Sequence, residues 1–299
     1  MDELSSVCGH TLFVPLTFRL SLHLEQVTWQ EMLLDPNLAS FSIRATSGLF
    51  QADAFVNWFD EWMESESLGV LIERDRFGRG TLAENGNIDV LANSEITAGE
   101  PCRLVLDVTE RLCAEVGDQT AVLGYITGGA TLLARLYGHE EAKVILEEVD
   151  NGKLSTQRKI KMDVAVKASV DLVNAYCDRG IGAILIAEHD TVVTYNYLNL
   201  FSPVFNLCKY FRVPIFLVSR SPVPAETIEM MEKLGIHFVG PSSNGIPDVH
   251  VITEKELCGE QEINMPEAMK KRFVFTEWDL ATDTDPAALS AVRTRILNI

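Results

Sequence analysis

Short apolar runs alternate along the chain with stretches whose apolar positions recur at helical spacing. The runs are nearly continuous, as is typical of parallel strands buried on both faces. Two helix ends are marked, one by Ser202 as N-cap with Pro203 at the first helical position, the other by a closing Gly235. Predicted strands cover 11–18, 53–59, 120–126, 181–190, 213–221, 236–240 and 273–279. Predicted helices cover 29–50 with a break near Asp35–Pro36, 60–68, 99–117, 130–138, 139–179 with a break at 150–153, 202–211, 224–235 and 285–297.

About eight strand–helix units over 299 residues predict an α/β fold, a single (β/α)8 TIM barrel domain spanning 1–299. An open doubly wound sheet is the alternative, but no G-x-G-x-x-G follows the first strand and no phosphate loop occurs. Residues 69–94 depart from the repeat, because two alternating segments flank Gly78 and Gly80. They predict a β excursion from the barrel.

Composition limits the function classes. The formal net charge is -18 and the pI about 4.7, so the basic footprint of a nucleic-acid-binding protein is missing. An acidic surface suits a cytoplasmic enzyme or one that meets a partner with a basic face. No apolar run approaches a membrane span, and the acidic start of the chain does not resemble a signal peptide. The 6 cysteines are scattered, which favours a reducing compartment.

One predicted strand end is unusually polar. The apolar run of 181–187 stops at Glu188, His189 and Asp190. Catalytic groups of a barrel lie at the carboxyl ends of its strands, so His189 is a candidate general base oriented by Glu188 or Asp190. A pair of the three is also a candidate metal site. A solvated loop with a capping aspartate is the alternative without a catalytic role.

Two further strand ends carry candidates. Asp60 follows 53–59 and is either a catalytic carboxylate or the N-cap of the next helix. Tyr125 either presents its hydroxyl to a ligand or packs in the core. Gly128 and Gly129 let the backbone turn sharply, which either brings it close to a substrate or allows tight helix–strand packing.

The last two predicted strand ends add substrate-binding candidates. Ser219 and Arg220 end one strand, and Arg220 either holds a substrate carboxylate in a bidentate fork or forms a structural ion pair. Trp278 either walls an aromatic pocket or belongs to the core. Arg135 lies one turn into its helix and is expected to point away from the site, and His237 is expected to be a core histidine.

The segment VLGYITGGATLLARLYG (122–138) resembles the GxxGxxTLxxxLxxG segment of the uroporphyrinogen decarboxylase superfamily. That superfamily also holds zinc-dependent, corrinoid-linked methyltransferases. The likeness spans 14–297 and implies a (β/α)8 barrel. Other segments that agree with the family in order are 49–70, 173–190, 202–211 and 278–296.

The functional residues of the family transfer unevenly. Asp60 falls where the decarboxylases keep a substrate-orienting aspartate. Arg135 replaces their tyrosine after the Thr-Leu pair, and only Arg19 stands near the place of their RQAGR motif. Their late histidine has no counterpart. The resemblance therefore does not imply porphyrinogen decarboxylation.

The methyltransferase pattern is also incomplete. Ser219-Arg220-Ser221 replaces the His-x-Cys pair of the family's zinc site, and Glu277-Trp278 stands near the place of its late cysteine. A thiolate-rich zinc site is therefore not expected. An oxygen- or nitrogen-ligated zinc site remains, with Glu188, His189 and Asp190 as its candidate ligands.

The resemblance implies a methyltransferase that demethylates a small, for example methoxylated aromatic, substrate. The methyl group would pass to a corrinoid (cobalamin) on a partner protein, because no D-x-H-x-x-G corrinoid-binding signature occurs in the chain. The alternatives are a decarboxylase of a small carboxylic acid and a non-catalytic binding subunit that kept the fold. A homodimer is a candidate assembly.

Overall fold

A computed structural model describes residues 11–75, 78–83, 95–116, 120–189, 193–240, 248–258, 260–261 and 272–297. The strands within these ranges are β1 (Leu12–Val14), β2 (Ala54–Val56), β3 (Ile72–Arg74), β4 (Gly80–Leu82), β5 (Ala121–Thr127), β6 (Ala183–Glu188), β7 (Ile215–Ser219), β8 (Ile236–Val239), β9 (Val249–Ile252) and β10 (Phe273–Thr276). The α-helices are α1 (Phe18–Leu24), α2 (Trp29–Leu34), α3 (Pro36–Leu49), α4 (Met63–Ser67), α5 (Glu100–Val116), α6 (Gly129–Tyr137), α7 (His139–Asp150), α8 (Thr156–Cys177), α9 (Tyr195–Leu200), α10 (Ser202–Phe211), α11 (Ala225–Leu234), α12 (Glu254–Leu257) and α13 (Pro286–Leu297).

Strand order decides between the two predicted architectures. One parallel sheet has the order β2-β5-β6-β7-β8, and a second has the order β1-β10-β9. Within each sheet, neighbouring strands follow one another in chain order, except that the first strand pairs with the last. A doubly wound sheet would instead reverse its strand order at the middle. The predicted α/β fold of the TIM barrel class is therefore confirmed.

The two sheets meet at two seams, one between β1 and β2 and the other between β8 and β9. At one seam the Asp53 amide donates to the Phe13 carbonyl oxygen (2.9 Å), and the Phe13 amide donates to Asp53 Oδ2 (2.7 Å). Arg293 of α13 holds both carboxylate oxygens of Asp53, at 2.9 and 3.0 Å. At neither seam do the described residues form a strand ladder.

The predicted β excursion is present as a hairpin. β3 and β4 pair antiparallel, and Gly78 lies in the turn with a positive φ of 76°. A Cβ at Gly78 would overlap the ring of Trp29, so this turn packs directly on the indole. The second half of the excursion, 84–94, lies outside the described residues.

Several predicted boundaries hold because local chemistry sets them. The break at Pro36 is confirmed, with the Asp35 carboxylate capping α3 through the amides of Asn37 and Leu38. Gly235 ends α11 in the left-handed conformation, as predicted. The break between the long helices also falls as predicted, since α7 ends at Asp150.

Other predicted elements were wrong. The strand predicted over 11–18 ends at Val14, because Pro15 cannot donate to a ladder and Phe18 already begins α1. Ser202 is not an N-cap but the first residue of α10. The sequence analysis missed α9, which ends at Leu200 and leaves Phe201 as the N-cap of α10. β9 was also missed, because His250 interrupts its short apolar run.

The core fills the barrel interior and the layer between strands and helices. His237 belongs to it, as predicted, with its ring stacked on Phe216 at a centroid distance of 5.2 Å. Across the ranges that the structure describes, no helix combines the length and apolar character needed to cross a membrane.

Candidate functional site

His189 lies directly after β6, at the carboxyl ends of the strands. Its Nδ1 is 3.0 Å from Glu61 Oε2, and its Nε2 is 3.4 Å from the Tyr125 hydroxyl. Burial raises the pKa of Tyr125 well above its ordinary value, so its hydroxyl stays protonated and can donate to Nε2. This geometry favours the imidazole tautomer with the proton on Nδ1, pointing to the Glu61 carboxylate.

The carboxylate that orients His189 is therefore Glu61. The sequence analysis assigned that role to Glu188 or Asp190. Glu188 points to the other side of the strand, as adjacent strand residues do, and Asp190 lies outside the described residues. Glu61 was missed, although it follows Asp60 at a predicted strand end and the same strand-end argument applies to it.

Arg135 also belongs to this cluster. It was expected to point away, but its side chain runs back toward the start of α6 and its guanidinium pairs with Glu61. The guanidinium carbon lies 4.6 Å from the ring centroid of Trp62, and Nη1 is 3.2 Å from His139 Nε2. Arg135 thus fixes Glu61, which in turn orients His189.

Asp60 lies at the same end of the barrel as His189, one residue from Glu61. Its carboxylate accepts from Arg74 Nη2 at 2.7 Å and from the Trp62 amide at 3.1 Å. Arg74 also pairs with Glu66 at 2.6 Å. The pKa of Arg74 is raised, because the two carboxylates outweigh the opposing effect of burial. The structure thus shows Asp60 holding the β3–β4 hairpin over the strand ends; its predicted catalytic role stays a prediction.

Glu188 is fully buried behind β6. It accepts hydrogen bonds from the Tyr197 hydroxyl, from Thr131 Oγ1 (2.7 Å), and from the amides of Thr131 (2.9 Å) and Ala130 (3.2 Å). Burial raises its pKa, and these donors oppose the rise. Glu188 therefore caps the N-terminus of α6, and the structure offers a structural function where the sequence predicted a catalytic one.

The glycines of the turn between β5 and α6 pack against this region. A Cβ on Gly128 would lie 2.2 Å from the Glu188 carboxyl carbon, and one on Gly129 would lie 1.7 Å from Phe201 Cζ. Tight packing, one of the two predicted explanations, accounts for both glycines without a ligand. Substrate binding by Gly128 stays a prediction.

A cleft of about 910 Å³ opens at the ends of β7, β9 and β10. Arg220 and Trp278 line it, and the Arg220 guanidinium carbon lies 4.6 Å from the Trp278 ring centroid. The Trp278 ring also makes edge-to-face contacts with two rings, with centroids at 4.7 Å for His189 and 5.3 Å for Phe59. Trp278 thus lines the cleft and contacts the ring of His189. Ser219 is buried and bonds locally to the backbone of Ser221.

Asp279 borders this cleft and was missed by the sequence analysis. The Arg19 amide donates to both its oxygens, at 3.3 and 3.2 Å, and Arg19 Nε lies 3.7 Å away. Burial raises the pKa of Asp279 to about 7, against the lowering effect of Arg19. Its signal in the sequence was its place directly after Trp278.

The described side chains do not fit a zinc site. Glu188 and His189 point to opposite sides of β6, and both ring nitrogens of His189 face protein groups. In the part of the chain that the structure describes, no three His, Cys, Asp or Glu side chains are grouped so that they could hold a metal ion.

Glu64 is a second buried carboxyl beneath the site. It lies in α4 and accepts from the Thr127 amide and, at 2.6 Å, from Thr127 Oγ1. Burial raises its pKa to about 7. It thereby fastens the segment that bears Asp60 and Glu61 to the end of β5.

Replacing Glu64 with glutamine is expected to flatten the pH dependence of stability. Folded Glu64 holds a proton between its ordinary pKa of 4.5 and about 7, whereas the unfolded chain does not. The wild type therefore loses stability as pH rises through this window, by about 3 kcal/mol at most. The E64Q amide keeps both contacts with Thr127. Urea unfolding between about pH 5 and pH 8 tests this, with the exposed Glu110→Gln as control; parallel curves for wild type and E64Q would contradict it.

The strand order defines a TIM-barrel protein, and the cleft lies at the carboxyl ends of its strands. A sequence model of the family "Uroporphyrinogen decarboxylase (URO-D)" matches residues 21–197, and the chain belongs to that family. The resemblance seen in the motifs is thereby confirmed.

A solved structure of a methyltransferase has a similar fold. A methyltransferase from Methanosarcina mazei superimposes with a TM-score of 0.77 and 15% identity, covering 98% of this chain and 96% of its own. The apo form of the homocysteine methyltransferase MmuM from Escherichia coli reaches a TM-score of 0.48 and 12% identity, with coverages of 98% and 99%. No curated protein matches the sequence.

Proposed function

We propose that this chain is a methyltransferase that demethylates a small methoxylated aromatic substrate and passes the methyl group to a corrinoid on a partner protein. The observation that carries the proposal is the similarity in fold, over almost the whole of both chains, to a methyltransferase. The departures from the decarboxylase motifs favour the same conclusion, since the RQAGR segment and the late histidine are missing from the sequence.

The strand-end geometry supports the chemistry of such a transfer. The oxygen–methyl bond breaks, its electron pair stays on the oxygen, and the oxygen needs a proton. A reduced corrinoid supplies the nucleophile that takes the methyl group. His189 is the proposed proton donor. Glu61 holds its Nδ1 side and Arg135 fixes Glu61, and the substrate oxygen takes the place of the Tyr125 hydroxyl at Nε2, which delivers the proton. Trp278 provides an aromatic wall beside it.

Methyl transfer from methoxybenzoates to free reduced cobalamin tests the proposal. We expect the wild type to form methylcobalamin and the demethylated phenol in equal amounts. His189→Asn should slow transfer by about a hundredfold or more, because it removes the proton donor. Glu61→Gln should slow it less and shift the pH profile of the rate, since the imidazole keeps its ring but loses its charged partner.

The alternatives give different products. Release of carbon dioxide with the methoxy group intact would mean a decarboxylase. Neither product from any methoxylated aromatic, with folded protein by circular dichroism, would mean that the chain does not catalyse this reaction.

A further inference from the structure

We propose that Arg220, stacked on Trp278, is a binding site for a carboxylate of the substrate, so that the cleft selects aromatic acids over neutral aromatics. The proposal rests on the proposed function, which supplies the class of substrate. It rests on the ring contact, the pairing of the other arginines at the strand ends, and the cleft.

The first argument concerns the carboxylate partners of the arginines near the strand ends. Arg74 pairs with Asp60, Arg135 pairs with Glu61, and Arg19 lies beside Asp279. Among the described residues Arg220 has no carboxylate within ion-pair distance, although Asp279 acts on it through space.

The second argument concerns orientation. Arg220 follows β7, and its amide donates to the Glu188 carbonyl oxygen at 3.3 Å, which fixes the backbone. The guanidinium carbon lies 4.6 Å from the Trp278 ring centroid. Contact with the indole restricts the guanidinium plane while its N–H edge remains available, and a carboxylate binds such an edge with two parallel hydrogen bonds.

The third argument concerns the surroundings. Arg19 and Arg79 line the same cleft, which adds positive charge near Arg220. Five acidic residues also line it. Glu254, Asp283 and Asp285 are exposed and therefore screened by salt, Glu277 is half-buried, and burial raises the pKa of Asp279 to about 7. A volume of about 910 Å³ admits a small aromatic acid with room to spare.

Calorimetric binding of three matched probes to the full chain tests the proposal without requiring catalysis. The probes are 4-methoxybenzoate, its uncharged amide 4-methoxybenzamide, and the cationic 4-methoxybenzylamine. We expect wild type to bind the benzoate at least about tenfold more tightly than either analogue. Arg220→Gln should remove that preference and leave amide binding unchanged. Arg220→Lys should keep part of it, because an ammonium attracts the carboxylate but cannot form the fork.

Arg212→Gln is the matched control. It removes the same charge at the other end of the β7 unit, between α10 and β7, and should leave all three affinities unchanged. Equal binding of benzoate and amide, tighter binding of the amine, no binding of benzoate, or an unaltered preference in Arg220→Gln would each overturn the proposal. If benzoate binds through Arg220 but no methylcobalamin forms, the proposed function fails and the carboxylate site stands. If methylcobalamin forms and Arg220→Gln changes nothing, the carboxylate site alone fails.

Discussion

Glu188→Gln is expected to destabilise the protein by about 3 kcal/mol, a large effect for a change of one atom. All four groups that meet the Glu188 carboxylate are donors. The Ala130 amide donates to one carboxylate oxygen and the Thr131 amide to the other, at 3.2 and 2.9 Å. A backbone amide cannot accept a hydrogen bond. In either orientation the amide nitrogen of glutamine would therefore face a backbone N–H.

Glu64→Gln is the matched control for this prediction. Both glutamates are buried, but at Glu64 the Thr127 amide donates to one oxygen and the Thr127 hydroxyl, which can accept as well as donate, meets the other. We expect E64Q to leave stability at neutral pH unchanged or higher, and E188Q to lower it. Urea unfolding of the two variants beside wild type measures the difference. Equal midpoints for E188Q and wild type would show that the α6 cap does not depend on an ionised acceptor.

Gly129→Ala is expected to destabilise by about 2 kcal/mol through overpacking. The added Cβ would lie 1.7 Å from Phe201 Cζ, and Phe201 is buried against Tyr197 at a centroid distance of 5.0 Å, so its ring cannot simply swing away. Gly48→Ala provides the contrast. No heavy atom lies within 4 Å of the Cβ position of Gly48 in α3, so this change should stabilise by about 0.5–1 kcal/mol.

The double variant Gly129→Ala, Phe201→Leu separates overpacking from backbone strain. The shorter leucine removes the atoms that the new methyl group meets, so the added loss from Gly129→Ala should be smaller in this background than in wild type. Thermal unfolding of the four proteins of the cycle measures this. Identical losses in both backgrounds would locate the effect in the backbone of the turn instead.

Much of the fold could be predicted, because continuous apolar runs and end signals such as Asp35–Pro36 and Gly235 report directly on burial and chain direction. Prediction failed where one residue carried conflicting information. His250 hid β9, since a buried histidine reads as a polar break. Pro15 stands inside an apolar stretch but ends the strand, because it has no amide proton to donate.

The strand-end rule selected side chains that lie together at one end of the barrel, but it could not tell which of them turn inward. Glu188 and His189 are neighbours in sequence and point to opposite sides. Glu61 and Arg135 meet His189 only through contacts between distant segments, and nothing in the local sequence encodes those contacts. The catalytic and substrate-binding roles predicted for the strand-end residues stay predictions until the methyl-transfer and binding experiments are done.

Asp53 has a consequence for how the polypeptide acquires its shape during synthesis. It joins Phe13 to Arg293, beside the pairing of β1 with β10. A ribosome releases β1 long before β10 and α13 exist, so the nascent chain must hold β1 without its neighbour until those elements have emerged. We therefore expect the nascent protein to need chaperones mainly between the synthesis of β1 and the synthesis of β10.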